Sequence, residues 1–339
     1  MFGYVLMNNM VVDDPGFIVA PMAAFFGAVL NFIFEFVSGV FVANTLGISI
    51  ILLTLFTRIL MVPLAIKTQK SMVAMQALAP DINKIKKKYE GKKDADSRQR
   101  MNAEVQALYV EHKVNPLGGC LPLLIQMPIF IGLNFIMQQA YLYVYQIGGV
   151  YRQLSAQIIS MDEVLGRERY LEIVDTLFTP KIPQNMMGQL NAGLAEDVER
   201  IISRFSPTEW YAMVAHMPEE MHATMNTLLA QKDALESFFG INLGLMSGLA
   251  FPGVLIPVLA VMTTFLSSYF ATKLTSATNT DPNAKNMQRM MLFMMPIMMG
   301  FFTVNMAAGV GVYWITSSVL QVFQQVVLNK YYNNKKKPA

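Results

Sequence analysis

The residue most clearly suited to a chemical role in this sequence is Arg58, a single charge inside an apolar run from Gly47 to Ile66. Twenty residues of α-helix rise about 30 Å, which is enough to cross the hydrocarbon of a bilayer. A charge at that depth costs roughly 2.5–3.5 kcal/mol on insertion scales, so it indicates a cavity lined by water or protein, where it could attract anions. Snorkelling toward an interface is the alternative, although about 12 Å of helix separates Arg58 from the end of the run.

Neutral polar side chains in the apolar segments could line such a cavity. Thr54 precedes Arg58 by four residues and therefore shares its face of a helix. Other members of this set are Thr57, Gln126, Asn134, Ser267, Ser268, Asn305, Trp314, Thr316, Ser317, Ser318 and Gln321. Taken singly, such residues most often bond to a neighbouring helix or to their own backbone, and the sequence leaves both interpretations open.

Catalytic and metal-binding patterns are missing from the sequence. The histidines are His112, His216 and His222, the single cysteine is Cys120, and no paired ligand spacing joins them. No Walker A, Gly-x-Ser-x-Gly or His-Glu-x-x-His motif occurs. We therefore expect no enzymatic activity, no metal, no cofactor and no small-molecule substrate. The absence of Lys and Arg from Met1 to Asp14 also argues against an ordinary secretory signal peptide.

The composition predicts an all-α polytopic membrane protein. Apolar residues make up 54% and charged residues 14% of the chain, whereas about a quarter of a soluble protein is charged. Five segments are long and apolar enough to cross a bilayer. We place these transmembrane helices at 46–66, 116–142, 251–271, 291–308 and 309–329.

The distribution of charge orients these five helices. Three connecting segments are basic, namely 67–115, 272–290 and the tail 330–339. The first alone carries 11 Lys and Arg against 6 Asp and Glu, so the positive-inside rule places all three in the cytoplasm. The N-terminus and the large loop 143–250 then lie outside. That loop is acidic and shows a mixed helical pattern, and we identify no site in it.

The apolar stretch Gly16–Asn44 complicates the number of crossings. It is long enough to span, but it contains Glu35 and has no basic flank. We favour an amphipathic helix that lies in the outer interface, within an external segment 1–45, with Glu35 directed to the headgroups. A sixth crossing is the alternative.

The segment 67–115 is predicted to form a helical hairpin. Apolar residues recur every three or four positions from Gln69 to Tyr89, Gly91–Asp96 interrupts the pattern, and Ser97 can cap a second helix to about His112. A basic cluster on the polar side consists of Lys84, Lys86, Lys87 and Lys88. It is either a solvated face or a recruitment surface for anionic headgroups or ribosomal RNA.

Two dipeptides and a methionine-rich stretch add further expectations. Asn115-Pro116 and Asp281-Pro282 each combine an N-cap residue with a proline in the first turn, which predicts a helix start. Eight methionines crowd the stretch from Met287 to Met306, where they could serve ordinary packing or form an apolar slide for varied segments.

Three blocks of this sequence resemble the YidC/Oxa family of membrane insertases. The first contains Gly47-Ile-Ser-Ile, Thr57-Arg58 and Lys67–Pro80. The second is His112–Phe130, and the third extends from Met294 through Val312-Tyr-Trp-Ile-Thr-Ser-Ser318. The blocks occur in family order, and the resemblance covers about 47–142 and 251–332.

This resemblance implies five transmembrane helices around a hydrophilic groove, a cytoplasmic helical hairpin and an N-terminal interfacial helix. The groove would open to cytoplasm and lipid and close toward the outside. Arg58 would supply its positive charge, and Thr54 and Trp314 would contact substrate. From the set of polar side chains above, Gln126 is a further candidate for the groove lining. Ser267 and Ser268 join this group because they occupy the stretch in which family members often carry glutamine.

The expected function is insertion and assisted folding of nascent transmembrane segments in a bacterial plasma membrane, without nucleotide hydrolysis. Expected partners are nascent membrane proteins, lipids, the ribosome and the Sec translocon. A secondary transporter or channel is one alternative, although such proteins typically carry an intramembrane carboxylate or internal repeats. A structural scaffold for membrane complexes is the other.

Overall fold

The computed structural model describes residues 16–41, 43–92, 94–114, 121–178, 194–275 and 282–335. These residues are mostly helical, as predicted, with one short two-stranded sheet that the sequence did not reveal. The helices are α1 (Gly16–Ser38), α2 (Thr45–Lys88), α3 (Ala95–Glu111), α4 (Leu121–Gln138), α5 (Ala140–Tyr143), α6 (Tyr145–Leu165), α7 (Arg167–Phe178), α8 (Ala195–Ile202), α9 (Pro207–His216), α10 (Glu219–Glu236), α11 (Leu255–Thr275), α12 (Pro282–Asn305) and α13 (Ala308–Lys335). The strands are β1 (Ser237–Phe238) and β2 (Ile241–Asn242).

The chain forms two compact units that alternate along the sequence. Unit 1 comprises the described residues of Met1–Leu53, Pro128–Pro257 and Phe302–Tyr313. Unit 2 comprises those of Thr54–Met127, Val258–Phe301 and Trp314–Ala339.

Helix α2 is 44 residues long and crosses the predicted boundary at 66/67 without a break. Pro63 and Pro80 lie inside it. Each proline removes one backbone hydrogen bond, but the bonds on either side continue the helix. The first apolar segment and the first hairpin helix are therefore one continuous element.

Helix α3 begins three residues earlier than the sequence suggested, because Asp94 rather than Ser97 is its N-cap. The Asp94 carboxylate accepts the backbone N–H of Ser97 at 2.8 Å, and hydrogen bonding with Ser97 lowers the pKa of Asp94. The two hairpin helices also contact each other: Glu104 accepts hydrogen bonds from Lys88 Nζ and Tyr89 Oη, both at 2.7 Å.

The remaining apolar helices differ from their predicted bounds at their ends. Helix α4 ends at Gln138, where Gln139 leaves helical geometry and the short α5 follows. Helix α11 starts at Leu255 rather than at 251, because the four preceding residues form a turn. Helix α12 starts at Pro282, and α13 continues to Lys335. The predicted caps Asn115 and Asp281 lie outside the described residues.

Two described helices contain stretches long and apolar enough to cross a membrane. These are Val19–Ser38 in α1 and Thr45–Ser71 in α2. Shorter apolar stretches are Leu255–Ala271 in α11 and Leu292–Asn305 in α12. Helix α1 thus meets the length requirement of a span, and both interpretations of this segment stay open.

In unit 1, α1 packs beside the start of α6. The backbone N–H of Tyr145 donates to Asn31 Oδ1 at 2.9 Å, and Gln146 Nε2 donates to Glu35 Oε2 at 2.8 Å. Glu35 is therefore anchored by a neutral amide. These contacts join the N-terminal helix to the first helix of the large acidic loop.

The acidic loop itself is a folded helical body within unit 1. Aromatic rings form its centre: Phe178 contacts Phe205 edge to face at 5.8 Å, and Phe205 contacts Trp210 at 5.2 Å. Ser206-Pro207 starts α9, and Glu209 accepts the Ser206 N–H at 2.7 Å.

A buried ion pair lies within α10 in unit 1. Lys232 Nζ lies 3.1 Å from Glu236 Oε2, and the two side chains are only 5% and 6% exposed. Burial opposes the charge on Lys232, but Glu236 and Asp233 outweigh this effect and raise the Lys232 pKa. Glu236 also accepts Asn242 Nδ2 at 3.1 Å. Burial, followed by the charge of Glu236, raises the pKa of Tyr151 well above its usual value.

The segment after the β-hairpin formed by β1 and β2 pairs with the turn between α12 and α13. Ala308 N–H donates to the carbonyl of Leu245 at 2.8 Å, and Gly309 N–H donates to that of Leu243 at 2.9 Å. Ser247 N–H donates to the Met306 carbonyl at 3.3 Å. The folded loop is thus fixed by backbone hydrogen bonds to the residues at which α13 begins.

We predict that Lys232→Met destabilises this protein by about 3–5 kcal/mol, because it leaves Glu236 buried without its cation. Thermal unfolding in detergent measures the effect. Lys84→Met is the matched control, since Lys84 forms an exposed pair with Asp81 at 2.8 Å. It should leave the melting temperature unchanged. Equal melting temperatures for Lys232→Met and the parent would contradict the importance of the buried pair.

Candidate functional site

The candidate site lies in unit 2 and begins with one face of α13. Trp314, Ser317 and Gln321 follow one another at spacings of three and four residues, which places them on the same side of a helix. Ser317 is buried, and Trp314 and Gln321 are half-buried. The face is therefore polar although it belongs to an apolar helix.

Arg58 on α2 bonds to this face. Its Nε donates to Ser317 Oγ at 3.0 Å, its Nη2 donates to the same oxygen, and Nη2 also donates to Gln321 Oε1 at 3.4 Å. Hydrogen bonds to a charged donor are worth about 1.5–3 kcal/mol each, more than bonds between neutral groups. The hydroxyl and the amide are neutral, so they orient the guanidinium and solvate it without cancelling its charge.

The turn of α2 before Arg58 contributes two buried threonines. Thr54 and Thr57 are both buried, and Thr57 Oγ1 donates to the Thr54 carbonyl at 2.8 Å. A threonine that bonds to its own helix satisfies its hydroxyl without a partner from another element. The structure thus places Thr54 one turn from Arg58 on the same helix, as its spacing predicted.

A second interhelical bond joins α13 to α11. Trp314 Nε1 donates to Thr264 Oγ1 at 2.7 Å. Thr264 is buried, as is Ser267 one turn further on, and Ser268 is half-buried. The family resemblance points to Ser267 and Ser268 on this helix but not to Thr264. Its spacing of three residues from Ser267 was the available signal.

The other predicted site residues occupy two further places in unit 2. Gln126 is half-buried on α4, and its role in the site stays a prediction. The basic cluster ends α2, where Lys84 pairs with Asp81 at 2.8 Å and Lys88 pairs with Glu104 at 2.7 Å. Two of the four cluster lysines are therefore already matched with carboxylates inside the hairpin. Hydrogen bonding to Glu104 raises the pKa of Lys88. Among the described residues, no group of His, Cys, Asp and Glu could hold a metal.

These features define a helical membrane protein with a cationic polar site between apolar helices. The family model described as 60Kd inner membrane protein matches residues 36–336, which is most of the sequence. The chain therefore belongs to the 60Kd inner membrane protein family, and the family resemblance seen in its sequence is confirmed.

Two relatives that match along most of their length are both named membrane protein insertase. The chain is 26% identical over 294 residues to "Membrane protein insertase YidC" of Oceanobacillus iheyensis, which covers 87% of this chain and 78% of the relative. It is 29% identical over 286 residues to "Membrane protein insertase YidC 1" of Lactococcus lactis, or 84% and 69% of the two chains. A shorter match of 86 residues to "Membrane protein insertase MisCA" of Bacillus subtilis reaches 52% identity. It covers 25% of this chain and 33% of the relative.

We predict that Ser317→Ala destabilises the protein by about 1–3 kcal/mol, because two donors of a charged group lose their shared acceptor. Thermal unfolding in detergent is the measurement. Ser318→Ala removes the neighbouring buried hydroxyl and serves as the control. A melting temperature for Ser317→Ala equal to that of the control would show that the Arg58–Ser317 bonds contribute nothing to stability.

Proposed function

We propose that this chain inserts the transmembrane segments of nascent membrane proteins through a hydrophilic groove that contains Arg58. Membership of the family makes it a membrane protein insertase, and the relatives reported above carry that name. The observation that carries the groove proposal is the guanidinium of Arg58, oriented by the neutral oxygens of Ser317 and Gln321.

In this proposal the five predicted transmembrane helices surround the groove. Thr54 and Trp314 contact the substrate beside Arg58, while Gln126, Ser267 and Ser268 extend the polar lining. The short polar flank of a nascent helix enters the groove, so that its polar groups cross less hydrocarbon. Water and hydroxyl groups satisfy the flank's backbone during this passage.

Arg58 attracts acidic residues in that flank. Two unit charges 4 Å apart interact with about 4 kcal/mol at an effective dielectric constant of 20, compared with about 1 kcal/mol in bulk water. A partly desolvated groove therefore strengthens the attraction, and acceptors that leave the arginine charge intact are suited to this task.

Transfer of the apolar helix into lipid supplies the driving force. Each Å² of apolar surface that leaves water as the segment partitions beside the groove contributes about 25 cal/mol of favourable free energy. The step therefore needs no nucleotide hydrolysis. The membrane potential favours outward movement of an acidic flank by about 2.3 kcal/mol per charge per 100 mV.

The proposed orientation follows the charge distribution. The N-terminus and the folded acidic loop lie outside a bacterial plasma membrane, and the C-terminus lies in the cytoplasm. The hairpin of α2 and α3 faces the cytoplasm, where its basic cluster meets anionic lipids, the ribosome or the Sec translocon. Helix α1 lies in the outer interface.

Insertion assays on purified protein in vesicles test the role of Arg58. We predict that Arg58→Ala lowers insertion of a substrate with an acidic flank about tenfold, equivalent to about 1.4 kcal/mol, whereas Arg58→Lys largely retains activity because it keeps the charge. Protease protection of the translocated flank is the measurement.

A matched pair of controls separates the groove charge from general charge effects. A substrate with a neutral flank should insert equally well with all variants, and Arg100→Ala, on the exposed side of α3, should leave every substrate unaffected. Unchanged insertion of the acidic-flanked substrate by Arg58→Ala would remove the proposed role.

Crosslinking from the groove distinguishes insertase action from a scaffold role. Photo-reactive side chains at positions 54 and 314 should trap many different nascent helices. Capture of one fixed partner at both positions would contradict the proposal.

A further inference from the structure

The turn of the β-hairpin presents a phenylalanine in a backbone conformation that suits this residue poorly. Phe239 and Gly240 connect β1 to β2, with φ values of 49° and 78°. A two-residue turn with both φ values positive normally takes Asn-Gly or Asp-Gly, since side chains with a bulky β-carbon are strained there. The Phe239 side chain is also 78% exposed, although its ring meets the Phe238 ring edge to face at a centroid distance of 4.6 Å.

Contacts within unit 1 fix this turn at the start of α2. The backbone N–H of Phe239 donates to Asn44 Oδ1 at 2.8 Å, and Asn44 directly precedes the helix. Phe238 packs on Gly47 so closely that a Cβ at Gly47 would lie 2.0 Å from the Phe238 ring. Phe238 therefore anchors the hairpin, and Phe239 is the largely exposed residue beside that anchor.

The apolar stretch of α2 that could cross a membrane begins at Thr45, one residue after Asn44. The hairpin turn is thus pinned to the end of a candidate span, where the hydrocarbon gives way to headgroups. By the proposed orientation this is the outer end.

A second exposed apolar group precedes another span that begins on the outer side. Leu249 and Phe251 are 73% and 81% exposed, in the turn that leads into α11. The whole stretch from Ser237 to Thr272 contains no Asp, Glu, Lys or Arg, although the loop before it is rich in acidic residues. A loop without charge, with exposed aromatic and aliphatic side chains, is suited to the headgroup region of a bilayer rather than to water.

We propose that the hairpin turn and the 249–251 turn insert into the headgroup and upper acyl region of the outer leaflet, with Phe239 as the leading side chain. The partner is a lipid surface. This inference rests on the orientation in the proposed function. Aromatic rings at this depth would hold the folded acidic loop against the membrane beside the start of the helix that carries Arg58.

Fluorescence quenching in vesicles tests the depth of the turn. Single-cysteine variants are made in a Cys120→Ser background, labelled with an environment-sensitive nitrobenzoxadiazole dye and reconstituted in phosphatidylcholine–phosphatidylglycerol vesicles. Lipids with a spin label at carbon 5 or carbon 12 quench shallow or deep positions, and iodide on both sides quenches positions in water. The test positions are Phe239→Cys and, as a second site that does not alter the hairpin, Leu249→Cys.

Two further variants serve as matched controls. Tyr211→Cys, on α9 in the same folded loop, replaces a side chain with the same 78% exposure as Phe239. Ile59→Cys lies within the apolar stretch of α2 and is 63% exposed, so it reports whether that stretch is in lipid.

We expect the labels at 239 and 249 to be quenched more by carbon-5 than by carbon-12 lipid, and at least threefold less by iodide than the label at 211. Iodide quenching at 239 and 249 equal to that at 211, with lipid quenching seen at 59, would overturn the inference while leaving the span intact. Protection from iodide without lipid quenching would also overturn it, because it indicates contact with protein. Absence of lipid quenching at 59 would instead overturn the proposed transmembrane span of α2, and the inference with it.

Discussion

A guanidinium among apolar helices must be hydrogen-bonded, yet it can attract an anion only if those bonds leave its charge intact. Ser317 and Gln321 meet this condition for Arg58, since both present neutral oxygens. They can do so because they follow Trp314 at helical spacing, and Trp314 in turn bonds to Thr264 on α11. Two polar interhelical contacts therefore position α13 within unit 2, and one of them carries the charge on which the proposed groove depends.

Unit 1 contains the large acidic loop and the contacts that hold it in one position. A buried Lys232–Glu236 pair and an aromatic cluster stabilise the loop, and Asn242 connects that pair to the hairpin. The β-hairpin of β1 and β2 contacts the start of α2. The residues that follow β2 bond to the turn before α13. Within unit 1, the loop is thus joined to the first residues of α2 and to the turn before α13.

The sequence predicted those features that depend on composition and on spacing along one helix. Arg58 stood out because a charge in an apolar run is costly, and Thr54 followed from its distance of one turn. Thr264 did not stand out, since a threonine in a helix most often bonds to its own backbone. The cap of α3 was misplaced because Asp94 and Ser97 are equally good caps by residue type. Lys232 and Glu236 have the spacing of an ordinary exposed pair, and only tertiary packing buries them.

The proposed groove requires that water reach Arg58, and the reactivity of a thiol at this position measures that access. In a Cys120→Ser background, Arg58→Cys and Ile59→Cys differ by one residue and, by the proposal, in their surroundings. A charged, water-soluble methanethiosulfonate reagent should label position 58 in intact vesicles at least tenfold faster than position 59. Equally slow labelling at both positions would place Arg58 in a dry environment and contradict the account.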